Sequence, residues 1–138
     1  MAVEDAMVSL LKTDCDCDVR PAYTTDVQAF PSIVVHAVGT RELHDTNYNL
    51  ARYVDCEVRV ITYAEPESLN TAREAHYKLL SDACHSLATA DNVARLNAVG
   101  TPRVKFWSCY VKTDAGTIAE SAYVTIIQVE VGATPQQV

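Results

Sequence analysis

The sequence predicts an α+β domain, an antiparallel sheet of about four or five strands with two main helices packed on one face. Three stretches carry that expectation. Across residues 52–62, Val54, Cys56, Val58 and Val60 alternate with Asp55, Glu57, Arg59 and Ile61, the period of a strand with one buried face and one mostly wet face. After Glu65, Pro66 and Glu67 the period lengthens. Leu69, Ala72, His76, Leu79, Leu80, Ala83 and Leu87 recur at threes and fours, a single stripe on a long helix. Near the end of the chain, residues 103–111 and 119–131 both read as strands around Asp114, Ala115 and Gly116, which makes a hairpin with its turn at that glycine. The expected order is α-β-β-α-α-β-β.

Taken in order, Val3, Ala6, Met7, Leu10 and Leu11 lie at helical spacing with Glu4 and Asp5 in the first turn, a short amphipathic helix with acidic groups at its positive end. The run Asp14, Cys15, Asp16, Cys17, Asp18 supplies turn formers, and residues 19–22 suit a short edge strand. Pro31 opens a β-branched stretch, Ile33 to Val38, apolar on both faces and therefore a well-buried strand. Residues 39–50 form a long hairpin loop that partly continues the ladder; a connection of that length is functional or mobile. Pro66 fits the first turn of the long helix, and Glu74 and Lys78 make a favourable pair one turn apart. Thr89 and Asp91 cap a short helix over 92–98, closed by Gly100. The whole chain, 1–138, reads as one domain, with 132–138 a frayed tail.

Composition excludes several classes of function. At 138 residues with 49% apolar and 21% charged side chains, the chain builds an ordinary core without staples. Four glycines cannot assemble a glycine-rich phosphate loop, and no 18-residue apolar run offers a membrane span. The acidic start lacks the basic segment of a secretory signal. A net charge of −7 opposes binding through phosphate neutralisation. Five irregularly spaced cysteines read as reduced thiols, with Cys56, Cys84 and Cys109 as small core residues.

Chemistry-bearing clusters are weak. The alternating aspartates at 14, 16 and 18 open like a calcium loop, but Val19 and Thr25 stand where glycine and a bidentate carboxylate are needed. Cys15 and Cys17 with Cys84 and His85 lack the two-residue spacer usual in zinc sites. His76 lies on the apolar stripe of the long helix, as a structural histidine does. Cys109, His36 and Asp55 are a possible catalytic trio that no motif selects. Neither catalytic residues, nor a cofactor site, nor a metal site is expected. Phe106, Trp107 and Tyr110 between Arg103 and Lys105 read as aromatics packed across a hairpin rather than a stacking surface for nucleic acid.

One property points outward. In the last strand Tyr123, Ile127, Val129 and Val131 fall on one face and Ala122, Val124 and Ile126 on the other. Two helices blanket one face of a sheet, so the second face is covered either by a neighbouring subunit or by the sheet curling on itself. The candidate contact residues are His44, Tyr48 and Arg52 in and after the long loop, and Arg103, Trp107 and Tyr110 on the aromatic strand.

The order of these elements resembles the tail-terminator (tail-completion, minor tail protein U-like) proteins of long-tailed bacteriophages. The resemblance rests on the helix over 3–11, the strand opening Phe30-Pro31-Ser32-Ile33-Val34-Val35, the charged strand 55–63 running into the helix 68–87, and Phe106-Trp107 before the hairpin; it covers residues 3–131. It implies a non-enzymatic virion protein that forms a homo-oligomeric ring, commonly a hexamer, at the neck of the tail. There it ends polymerisation of the tail tube protein and meets a head–tail connector. DNA passes through such a ring without specific binding, which an acidic lining favours by repelling phosphate; Asp14, Asp16, Asp18, Glu42 and Asp45 are available for that lining. The alternatives are a connector or head-completion protein of the same virions, or a small metal- or thiol-dependent enzyme using Cys15, Cys17 and Cys84.

Overall fold

The structure, a computed structural model, describes residues 2–22, 31–42, 52–63, 69–99, 104–119 and 122–135. Helix α1 (Ala2–Asp14) leads to strand β1 (Asp18–Pro21), then β2 (Ser32–Glu42) and β3 (Arg52–Tyr63). Helices α2 (Leu69–Ala88) and α3 (Asn92–Val99) follow, and β4 (Val104–Ala119) and β5 (Ala122–Pro135) close the chain. The sheet order is β1-β2-β3-β5-β4. The four long strands are antiparallel to their neighbours, whereas β1 pairs parallel to β2. The sheet is thus mixed, its short parallel strand on the edge at the position expected of an edge strand.

Alternation in β3 divides the protein into two faces. Val54, Cys56, Val58 and Val60 are buried together with Ile33 and Val35 of β2 and Ile127, Val129, Val131 and Ala133 of β5. Against this layer pack Met7, Leu10 and Leu11 of α1, Leu79, Ala83 and Leu87 of α2, and Leu96 of α3. All three helices contribute to this one core. Residues of opposite parity in β3 and β5 point away from it, as a period of two requires.

Both edges of the sheet are stoppered by side chains. Where β1 ends, the carboxylate of Glu4, buried on α1, accepts the Ala37 backbone N–H of β2 at 3.1 Å. On β4, Asn97 acts as a stand-in strand: its Oδ1 accepts the Phe106 N–H at 2.8 Å and its Nδ2 donates to the Phe106 carbonyl at 2.9 Å. Asn92, also buried, donates to the carbonyls of Leu87 and Cys109 at 2.6 and 3.1 Å, tying the end of α2 and the start of α3 to β4. Unpaired edge groups invite another chain, and these contacts remove them at Ala37, Phe106 and Cys109.

Two expectations differ from the structure. Asp114, Ala115 and Gly116 are not the hairpin turn; they pair with Ile127, Ile126 and Thr125, and the ladder runs on to the pair Ala119 with Ala122. Strand formers Thr117 and Ile118, opposite Val124 and Tyr123, carry the pairing past that glycine. The tail expected from residue 132 is strand through Pro135, because Ala133 is buried opposite Phe106. The ladder continues into the segment from residue 39, as expected, since Gly39 to Glu42 pair with Asp55 to Arg52. The corner at residues 65–67 and the cap at Gly100 lie outside the described residues.

Candidate functional site

Three β-bulges shape the face turned away from the helices. Between Phe106 and Ser108 the register of β4 against β5 shifts by one residue. In an unbroken strand Trp107 and Tyr110, three apart, would point to opposite faces. The extra residue brings them to the same one. Tyr110 stands opposite Glu130, and Trp107 lies over Gly132. A β-carbon at Gly132 would sit 2.8 Å from three carbons of the indole, so the absence of a side chain makes the seat of the ring. Tyr53, opposite Gly132 on β3, meets Trp107 edge-on with ring centroids 5.1 Å apart at 62°. Trp107 remains 38% exposed and Tyr110 63%.

Beside this aromatic corner runs a charged belt. The Lys112 ammonium lies 3.8 Å from Asp55 and 3.9 Å from Glu130, and Arg59 pairs with Glu57 at 3.1 Å. Lys112 sits at the second bulge, between Val111 and Thr113, and Val38 at the third, between Ala37 and Gly39. Val38 and Lys112 border a hollow of about 200 Å³ lined also by Asp55, Cys56, Glu57, Gln128 and Val129. Farther along, Ile61, Val124 and Ile126 are half-buried, and Ser32 and Val34 are buried within a single copy, Val34 at 9% exposure. The aliphatic end of this face is therefore largely shielded by the chain itself, and what stays open is the aromatic corner and the charged belt.

Of the expected contact residues, Trp107 and Tyr110 come together on this face. Arg52 pairs with Ala133 and Glu42 at the same end of β3. His44, Tyr48 and Arg103 lie outside the described residues. Tyr53, which completes the cluster, was missed at the sequence level. It belongs to the outward parity of the alternating strand, a signal that singles out its face but not its partner. Among residues available for an acidic lining, Asp14 is held by Arg95 at 2.5 Å and Asp18 by Arg20. The Asp14 carboxyl lies below its usual pKa, with the Ser86 hydroxyl near it and the Arg95 guanidinium bonded to it. These two charges are locally paired, and Asp16 is exposed.

Four of the thiols are held in their un-ionised, weakly nucleophilic form. Burial pushes Cys15 and Cys56 up to about 12, and Cys17 and Cys109 to about 11. At pH 8, a thiol with a pKa of 12 is ionised in only about one molecule in ten thousand. A disulfide reagent at pH 8 is therefore expected to label Cys15 and Cys56 at least about a hundredfold more slowly in the native than in the unfolded protein. Equal rates would show that the pockets around these thiols are open. Among the described residues no three His, Cys, Asp or Glu side chains group as a metal site, and no helix is long and apolar enough to cross a membrane.

No family model and no curated protein matches the chain. A solved structure does. A chain in the virion of a native gene transfer agent particle superimposes with a TM-score of 0.54 at 14% identity, over 96% of this chain and 92% of that one. At that identity the likeness establishes the fold, and it extends over nearly the full length of both chains.

Proposed function

We propose that this chain is a structural virion protein without enzymatic activity, forming a homo-oligomeric ring at the head-proximal end of a phage-type tail tube. The ring, a hexamer in this reading, ends tube polymerisation and offers its far side to a head–tail connector at the neck of the virion. The observation that carries the proposal is the near end-to-end fold likeness to a component of a gene transfer agent virion.

Two physical features support the same reading. The face opposite the helices keeps Trp107 and Tyr110 exposed beside a charged belt, the mixture of aromatic anchors and polar surround found where proteins bind one another. The net charge of −7 suits a ring through which DNA slides, because phosphate is repelled rather than trapped.

The test is assembly. Purified protein mixed with tail tubes is expected to cap one end of each tube and halt elongation, visible as discrete rings in electron micrographs and as a multimer in sedimentation. Protein that stays monomeric with tubes present would overturn the proposal. Rings that bind emptied heads and ignore tubes would move it to the head side of the joint, as a connector.

A further inference from the structure

The strongest unexplained feature is a histidine sealed between helix and sheet. His76 on α2 is 4% exposed. Its Nδ1 lies 3.0 Å from Thr62 Oγ1 on β3, and its Nε2 lies 2.8 Å from Thr125 Oγ1 on β5. One side chain thus links the helix to two adjacent strands. Thr62, opposite Tyr123, and Thr125, opposite Val60, are diagonal neighbours that interrupt the apolar parity of their strands, where Val60 and Ile127 precede and follow them. Two hydroxyls facing the core are costly unless bonded, and the imidazole satisfies both.

We propose that His76 is an acid-sensitive latch: neutral, it fastens α2 to β3 and β5 through Thr62 and Thr125, and protonation in mildly acidic solution releases the helix. The hydrogen-bond inventory requires this polarity. A neutral imidazole donates from one nitrogen and accepts at the other, so one threonine accepts from the ring and the other donates to it. A protonated imidazole donates from both. The donating threonine must then turn its hydrogen away from the ring, and a full charge is left in a buried site.

Among the described residues, the groups around the imidazole offer that charge little compensation. β3 presents the Thr62 hydroxyl, and β5 presents Thr125 with the Tyr123 ring 5.7 Å away. On α2 itself the Tyr77 ring is 6.4 Å from the imidazole, and the Arg73 guanidinium lies over Tyr77 at 5.4 Å. The nearest charge among these groups is thus a cation. Burial alone lowers the His76 pKa from its ordinary 6.5. The lowered value fixes the sign. The stabilising effect of the latch is complete above pH 6.5 and is lost as pH falls through the lower folded value, because the unfolded chain then binds the proton more readily.

The experiment measures unfolding from pH 7.5 to 5.0 for the wild type, His76→Gln, and the controls His36→Gln and His85→Gln, whose histidines are exposed. Glutamine can donate and accept but does not titrate. The wild type and both controls are expected to lose up to about tenfold in folding equilibrium constant per pH unit below 6.5, while His76→Gln stays nearly flat there. Amide exchange in the wild-type protein, corrected for intrinsic rates, should localise the loosening to α2 at pH 5.5. That measurement also decides the matter if His76→Gln does not fold. A pH response in His76→Gln parallel to the wild type, or α2 amides equally protected at pH 7.5 and 5.5, would overturn the proposal.

Discussion

Phe106→Ala is expected to destabilise the fold by about 3–5 kcal/mol, whereas Trp107→Ala, one residue along, should cost less than half as much. The two aromatics stand on opposite faces of β4. Phe106 is 1% exposed and belongs to the core that the three helices close. Its backbone N–H and carbonyl are bound by Asn97, and it pairs with Ala133 on β5. Truncation there leaves a cavity whose walls are pinned by those contacts, so little relaxation offsets the loss. Trp107 gives up mainly its edge-on contact with Tyr53, an interaction worth about 1 kcal/mol, and its seat over Gly132. Urea unfolding followed by far-ultraviolet circular dichroism measures both. Equal losses would mean that the indole is as much a part of the core as Phe106, and the assignment of its face to assembly would fail.

The parts of this fold legible from the sequence were those that depend on local period. The alternation through β3 and the three-and-four spacing through α2 each describe one element with one buried side, and each element forms where its pattern says. Bulges break the period, and no local signal marks them here. A strict count through β4 sends Trp107 and Tyr110 to opposite sides; the register shift at 106–108 reunites them. The turn was misplaced for a related reason. Asp114 and Gly116 are turn formers, but pairing to Ile127 and Thr125 overrides local preference when the partner strand is long enough. Glu4 reads as an N-terminal charge of an amphipathic helix, and its second role against Ala37 exists only once α1 lies across β2. His76 was legible as structural from its place on the apolar stripe. Its two threonine partners, 14 and 49 residues away in sequence, were not, since nothing in the sequence specifies which strands the helix crosses.

The expectation of a sheet too apolar to stand alone also changes its footing. Val34 is buried within one copy, and Val124 and Ile126 are half-covered, so the aliphatic residues that suggested a neighbour need one least. The aromatic corner takes over that argument. Burial of a Trp or Tyr at the centre of an interface commonly contributes about 2 kcal/mol or more, while the polar belt around it mainly excludes water and sets orientation. Under the ring proposal, Trp107→Ala and Tyr110→Ala should each weaken subunit association by about thirtyfold. Tyr110→Ala is the cleaner of the two, because a side chain 63% exposed removes little from the fold. Gly132→Ala provides an independent approach to the same site: the new methyl occupies the place of the indole and should displace Trp107 with its chemistry intact. Because Trp107 is the sole tryptophan, its fluorescence reports both events. Emission should shift to the blue as wild-type subunits assemble and bury the ring, and to the red in unassembled Gly132→Ala as the ring swings into water. Rings that form at wild-type concentration in all three variants, with no shift in emission, would place the subunit contact on another surface of the molecule.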